Sequence, residues 1–525
     1  MTEITVLLLI AATGFGIARR FQIPVIPFLL LGGITVSTFV SHENTIDLQR
    51  ALELGLTFLV FASGIELNPQ RFGHQKKTVI WVGVVQFFAA GLVGFFVAQA
   101  LGFEAKSALY LAFALSTSST LVVVRLLSQG RQMAEPFGRL VVGVLLFQDV
   151  LMILLIILIA RVPHGALAVF QGIISTAILG GLALASQRWF VPWFILRRNL
   201  ENEILLLVVL AQLFFFTGLA NLLSIPTIAG AFAAGLALSS FPINGIVRAL
   251  LSSLNDFFLA IFFTALGAFV GIPDDPIILI KGIVLGLILI TLTPPLVAAI
   301  AEHFGLSSRN AIEAGILLAQ SSEFSLVLGI TGHITLGEIS RDVLGIIAWV
   351  AAFTMTLTPL LANDRVTRWL MHFHPGRRKS RETLGIEDHI LVLGFGTGGM
   401  WVIKPLIAAG HTVLVVDDDP VVIEHLNQAK VRCLRGDGSD IKVLQEAGAD
   451  RAKLVISSMR RANEAKTVLS YLRDKPVIVR VFETADAAVI KQQGGIPIMN
   501  SDASAAKFME WFQKTGRATS TESPA

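Results

Sequence analysis

Residues 115–127 read "LSTSSTLVVVRLL", an apolar stretch with a cluster of hydroxyls near its start, and residues 318–330, "LAQSSEFSLVLGI", align with it without gaps. Ser118 and Ser119 fall opposite Ser321 and Ser322. Each segment lies in a run long enough to cross a bilayer, where unsatisfied polar groups are expensive. Two interruptions of this kind suggest two broken helices that meet near the midplane and offer free backbone ends to an ion.

The surrounding chain has the composition of a membrane protein. Of 525 residues, 54% are hydrophobic and 15% charged, where soluble proteins carry about a quarter charged. Apolar runs dominate residues 1–362, and the rest has a mixed, soluble composition. We therefore expect a transmembrane domain at 1–362, a basic linker at 363–387, an α/β domain at 388–502 and a tail at 503–525. The first residues, "MTEITVLLLIAATGFGIARR", lack a basic leader region and a small-residue cleavage site, which reads as a retained first helix. One cysteine, Cys433, excludes an internal disulfide and fits a reducing compartment. Its simplest role is that of a buried strand residue. The net charge of +4 comes without a basic, aromatic-interleaved cluster, so no nucleic acid partner is expected.

At about 20 residues per span, the pattern predicts about thirteen transmembrane helices, the fifth at 107–127, the sixth at 139–160, the eleventh at 277–300 and the twelfth at 311–331. Alternate loops carry the basic residues: Arg19 and Arg20, then Arg71, Lys76 and Lys77, then Arg125, Arg131 and Arg139, and so on to Arg309. Basic loops stay cytoplasmic, which puts the N-terminus outside and the C-terminal domain inside, in the cell (inner) membrane. Spans five and twelve are seven apart and run in opposite directions. The two hydroxyl-rich segments thus belong to inverted repeats of six helices each, with span seven as connector.

Between them in the chain, "GVLLFQDVLMILLI" (143–156) holds an acid inside an aliphatic run. Asp149 is ten residues from Arg139 and twelve from Arg161, roughly 15 Å from either end of its helix. A carboxylate at that depth costs about 3 kcal/mol on insertion scales and usually marks an ion or proton path. A low-dielectric setting favours the neutral, protonated form, and a bound cation favours the ionised one. Proton and cation then compete for one site, which makes an exchanger if the protein reorients when either is bound but not when the site is empty and charged. Gln148 adds a neutral carbonyl instead of a second charge, which argues for one proton against one monovalent cation. Thr117, Ser118, Gln320 and Ser321 are the expected neighbours at that depth, and oxygen ligands suit a hard alkali cation. No metal is expected beyond that cargo. Glu323 reads as a partner for a basic residue or as a helix-end charge, and Glu66 as an interfacial group or an ion ligand.

From 388 onward, strands and helices alternate: "HILVLGFGTGGM", "HTVLVVDDDP", "VRCLRGDGSD", "KLVISSM", "PVIVRVF" and "IPIMNSD". Six such strands imply one parallel, Rossmann-like unit. Gly394, Gly396 and Gly399 form G-x-G-x-x-G between first strand and first helix, and Asp417 closes the second strand. The glycines let a phosphate approach the helix N-terminus and the acid can take ribose hydroxyls, so nucleotide binding is expected.

These segments resemble the cation:proton antiporter-2 family, specifically potassium/proton antiporters with a cytosolic RCK-type (TrkA N-terminal-like) domain, similar to glutathione-gated potassium efflux systems. The likeness rests on "FASGIELNP", "STSST", "LLFQDV", "AQSSEFSLVLG", "GFGTGGM" and "RGDGSD". It implies electroneutral potassium/proton exchange in members with Gln-Asp, and more often sodium transport in those with Asp-Asp. It also implies a homodimer, elevator-type motion of a core against a dimerisation domain, a small regulatory subunit, and control by an adenine nucleotide (NAD(H), AMP or ATP) held by the glycine loop, Asp417 and Asp437. Two features depart from the pattern. The family's basic residue in span eleven is replaced by Thr291 and Thr293, with Lys281 too near the outer end. Beyond 502 the sequence offers no second regulatory domain and little room for a glutathione pocket.

A sodium or mixed-cation exchanger on the same scaffold is the alternative. A membrane-anchored NAD(P)-dependent oxidoreductase is disfavoured because no substrate domain follows the nucleotide fold, and a buried carboxylate midway weighs against a simple pore.

Overall fold

A computed structural model describes residues 2–21, 25–37, 45–67, 76–130, 132–133, 135–196, 201–240, 243–271, 275–373, 385–395, 400–459, 462–499, 505 and 509. The chain forms two compact units, one of Met1–Ala301 with Ala311–Arg368, the other of Glu302–Asn310 with Trp369–Ala525.

The first unit is helical. Its first seven helices are α1 (Thr2–Phe21), α2 (Val25–Ser37), α3 (Thr45–Glu66), α4 (Lys76–Ala100), α5 (Ala105–Ala114), α6 (Thr120–Gln129) and α7 (Pro136–Arg161). After α8 (Ala166–Ala185) come α9 (Asn202–Leu222), α10 (Thr227–Ala237), α11 (Ile243–Val270), α12 (Pro276–His303), α13 (Ser308–Leu317), α14 (Glu323–Ile330) and α15 (Arg341–Leu361). Among the described residues, eight helices are long and apolar enough to cross a membrane, and shorter apolar helices lie among them. Two starts differ from the hydropathy reading. Helices α3 and α11 begin several residues before their apolar runs, at "TIDLQR" and "INGIVR". Hydropathy sees only the lipid-matched part of a helix, while backbone hydrogen bonding continues into the polar flank.

Packing sorts these helices into two bundles. Helix α11 packs on α2 and α3, and α10 on α3, α8 and α9. Small residues bring these backbones together: a Cβ on Gly64 of α3 would strike the Phe232 carbonyl of α10, and one on Gly235 of α10 the Phe61 carbonyl of α3. Reciprocal glycine contacts are how apolar helices gain close packing where water supplies no driving force. In the other bundle α4 packs on α5 and α7, and α14 on α5 and α15. Helix α12 joins it through Gly286, which lies against Phe353 and Thr354 of α15. Each bundle draws on both halves of the chain, α1–α3 with α9–α11 and α4–α7 with α12–α15, as the expected repeat requires.

The expected basic linker holds α16 (Asp364–Phe373), whose first backbone N–H groups, of Arg365 and Val366, are capped by the Asn363 side chain at 3.0 and 3.1 Å.

In the second unit, β1 (Ile390–Leu393), α17 (Met400–Ala408), β2 (Val413–Asp417), α18 (Pro420–Gln428), β3 (Arg432–Arg435) and α19 (Ile441–Glu446) form one half. The other half is β4 (Leu454–Ser457), α20 (Ala462–Tyr471), β5 (Val477–Val481), α21 (Thr484–Gln492) and β6 (Ile496–Met499). The six strands make one parallel sheet in the order β3-β2-β1-β4-β5-β6. Central strands β1 and β2 are buried throughout, which is why they read as unbroken aliphatic runs. Cys433 lies on edge strand β3, half-buried and unpaired.

Candidate functional site

Helices α5 and α6 are separated by Leu115–Ser119, and α13 and α14 by Leu318–Ser322, so both hydroxyl-rich segments are helix breaks. The aligned serines do the same work in each. Ser119 accepts from the Val122 N–H at 3.4 Å and caps α6, and Ser322 accepts from the Phe324 N–H at 3.1 Å and caps α14. The breaks satisfy one another. Ser118 donates to the Leu318 carbonyl at the end of α13 at 2.6 Å, while Ser321 and Ser325 donate to the Ala114 carbonyl at the end of α5 at 2.8 and 2.6 Å. Thr117 and Ser325 hydroxyls lie 3.5 Å apart. Each α-helix that stops inside the membrane leaves carbonyls unpaired, and hydroxyls from the opposite break take them up.

Asp149 on α7 is fully buried beside this crossing. Its direct partners are not the four neighbours expected from sequence. Oδ2 accepts from the hydroxyls of Ser63 on α3 at 2.8 Å and Thr120 on α6 at 3.0 Å, and Oδ1 has no partner among the described residues. Gln148 accepts from the Ser118 N–H at 3.3 Å through Oε1, which ties α7 to the first break. Among the described residues, Gln320 donates to its own turn, at Leu317, and its Oε1 has no hydrogen-bond partner. Glu323, the first residue of α14, accepts from its own backbone N–H, the Ser119 hydroxyl and the Leu121 N–H, so its carboxylate sits at the N-termini of both α14 and α6, with Oε2 left without a partner among the described residues. No ion pair joins Asp149 or Glu323 to a base among the described residues. Of the two threonines at the expected span-eleven position, Thr293 on α12 is fully buried, with Oγ1 unpartnered among the described residues. Thr291 is exposed and bonds its own helix, and Lys281 stacks over Phe103 at 4.6 Å. Glu66 ends α3, 3.9 Å from Arg248 of α11.

Ser63, Thr120 and Gln86 were passed over in the sequence. Gln86 on α4 donates to Ser118 Oγ and to the Leu318 carbonyl, both at 3.2 Å, and so touches both breaks. A lone amide in the apolar run "VGVVQFFAAG" was its signal. Ser63 and Thr120 had only their hydroxyls, which membrane helices commonly spend on their own backbone.

In the second unit the turn after β1 begins at Gly394, whose φ of 73° is left-handed and favours glycine. Gly396 and Gly399 lie outside the described residues. Asp417 at the end of β2 accepts from the Phe395 N–H at 2.6 Å, holding the glycine turn, and from the Asp419 N–H at 2.9 Å. Asp437, after β3, accepts from the N–H and hydroxyl of Ser439 at 2.8 and 2.7 Å. Burial, with the carboxylates of Asp417 and Asp437 beside it, pushes Asp418 up to about 7. These acids and Gly394 gather at the carboxyl ends of β1–β3, beside the switch between β1 and β4 where parallel sheets of this order take ligands.

The sequence pattern described as "Sodium/hydrogen exchanger, transmembrane" matches residues 5–363. The chain belongs to that family. A TrkA-N domain pattern matches residues 390–500 of this exchanger. YbaL of Escherichia coli (strain K12), whose name describes a cation/proton antiporter, is 24% identical over 94% of this chain and 93% of its own length. KefB of Alkalimonas amylolytica, whose name describes a K(+) efflux antiporter, is 25% identical over 90% of this chain and 74% of its own. The sodium proton antiporter MjNhaP1 of Methanocaldococcus jannaschii shares the membrane fold, with a TM-score of 0.57 at 16% identity over 70% of this chain and 98% of that one. The exchanger is thus a multi-pass cation/proton antiporter of the cation:proton antiporter-2 type with a C-terminal TrkA-N domain. Both relatives are named for transport.

Proposed function

We propose that this exchanger moves potassium out of the cell against protons, one for one, with Asp149 as the site that the two ions share. The observation that carries this is the environment of Asp149: fully buried, two hydroxyls on Oδ2, and Oδ1 left open. A carboxylate with one free oxygen can take a proton or serve as a cation ligand, but its single charge neutralises only one of them. Gln148, Thr117, Ser118, Gln320, Ser321 and Glu323 complete the proposed site, to which the open oxygens of Gln86 and Gln320 contribute. Thirteen crossings follow if α5 with α6, and α13 with α14, each count as one broken span. Basic loops put the N-terminus outside and the nucleotide domain in the cytoplasm of a homodimer in the cell membrane. The domain at 390–500 takes an adenine nucleotide on Gly394, Gly396, Gly399, Asp417 and Asp437 as a regulatory ligand, and a small regulatory subunit would act there.

The test is a cation series in proteoliposomes under an imposed pH gradient. Potassium and rubidium are expected to drive proton movement without building a membrane voltage. Equal or stronger responses to sodium and lithium would replace the potassium assignment, and a voltage would overturn the one-for-one ratio. Asp149→Asn should fall to the protein-free background; retained exchange would remove Asp149 from the reaction.

A further inference from the structure

We propose that Ser63 is a latch that holds the carrier still when its site is empty and charged, so that proton and cation movements stay coupled. The proposal rests on Asp149 as the shared site. Its basis is that the two hydroxyls on Oδ2 belong to different bodies. Thr120 lies on α6, in the bundle that carries Asp149 itself. Ser63 lies on α3, in the other bundle, and its neighbour Gly64 is clasped against the α10 backbone, which fixes this turn of α3 to that bundle. Any motion of the α4–α7 and α12–α15 bundle past α3 keeps the Thr120 bond and breaks the Ser63 bond.

The strength of the Ser63 bond depends on what Asp149 carries. A hydroxyl donating to an ionised carboxylate makes a charge-assisted bond, about twice as strong as a neutral one. A proton on Asp149 makes it a neutral acceptor, and a cation on the open Oδ1 draws charge away from Oδ2. Either load weakens the tie across the bundles; the empty, ionised site keeps it at full strength. This is the condition an exchanger must meet: reorientation when loaded, none when empty. Moving a bare charge through a low-dielectric interior opposes empty reorientation too, and the latch adds to that barrier by name. The other ionisable groups that Asp149 feels, Glu323 on α14 and Glu66 at the end of α3, act on it through charge, and among the described residues neither hydrogen-bonds Oδ2. Ser63 is therefore a positioning residue, acting on the reaction through Asp149.

The test uses the full-length protein in proteoliposomes with a pH gradient and no alkali cation on either side, N-methylglucamine as the only cation and thiocyanate as a permeant anion. Wild type should show background proton flux. Ser63→Ala should raise it roughly ten- to hundredfold, the factor in rate that a hydrogen bond to a charged acceptor is worth, while cation-driven exchange continues. Ser63→Thr, which keeps the hydroxyl, should restore tight coupling. A purely structural role would slow exchange without opening this leak. Background flux in Ser63→Ala, with exchange intact or slowed, overturns the latch. Should that variant fail to fold, Ser63→Cys, a weak donor, must leak more than Ser63→Thr, and equal fluxes overturn the proposal in the same way. Retained cation-driven exchange in Asp149→Asn would instead sink the shared-site reading on which the latch rests.

Discussion

Glu323 places its carboxylate on the backbone N–H of Leu121, in the first turn of α6, and takes the Ser119 hydroxyl beside it. This helix end faces Glu323 in a chain whose eleventh apolar run lacks the basic side chain that the family resemblance implies. The N-terminus of a helix carries roughly half a positive charge, and here it meets a buried carboxylate that has no ion pair with a lysine or arginine among the described residues. The break between α5 and α6 is therefore the electrostatic partner of Glu323.

Glu323→Gln keeps an acceptor for the Leu121 N–H and loses the charge. It should weaken cation-driven exchange without abolishing it, since Asp149 still carries the shared charge, and shift stability by no more than about 2 kcal/mol, the upper range for a carboxylate at a helix N-terminus. Thermal unfolding and proteoliposome flux on the same preparation check both halves. Abolished exchange with an unchanged melting temperature would make Glu323 a carrier of protons instead of a helix partner.

Thr293 stands where a base is expected, buried with an unpartnered hydroxyl. Thr293→Val is nearly the same shape and removes the polar atom. If the hydroxyl serves nothing, stability rises by about 1 kcal/mol and transport is unchanged. A clear loss of cation-driven flux would show that the hydroxyl takes part in ion handling in another state of the cycle.

His389 at the start of the α/β fold is fully buried, with Nε2 at 3.0 Å from the Ala447 carbonyl and Nδ1 unpartnered. Burial, chiefly, holds its pKa below the ordinary 6.5. The folded state thus keeps a neutral ring while the unfolded chain takes up a proton. The contribution to stability is complete above the unfolded value and is lost as pH falls through it, with a slope of at most about 1.4 kcal/mol per pH unit. Melting of the second unit in the full-length protein should flatten between about pH 7.5 and 5.5 in His389→Gln, relative to wild type. Parallel curves would rule the ring out as the source.

Asp417→Ala frees the Phe395 N–H and the Asp419 N–H together. Leaving such donors unpaired costs about 1–3 kcal/mol, and the glycine turn loses its anchor. The thermal shift produced by NAD(H), AMP or ATP should shrink or vanish in this variant. An undiminished shift would place the nucleotide elsewhere on the protein.

Much of this molecule was written into local sequence. The apolar runs and the strand–helix alternation after 388 each have a local cause: lipid matching, and the burial of parallel strands on both faces. Both helix breaks were legible at "STSST" and "AQSSE" because a helix that stops inside a membrane must find donors and acceptors nearby, and hydroxyl clusters supply them. The buried acid in "FQDV" was legible for the same reason of cost. What the sequence left open was the set of partners. Ser63, Thr120 and Gln86 reach Asp149 and the breaks from helices up to 232 positions away in the chain, and nothing in a lone serine or glutamine says which carbonyl or carboxylate it will meet. Likewise the absence of a basic residue in the eleventh span could be read from the sequence, but its substitute could not. A helix end acts as a charge only where folding aims it at one, and only the tertiary structure brings the N-terminus of α6 against Glu323.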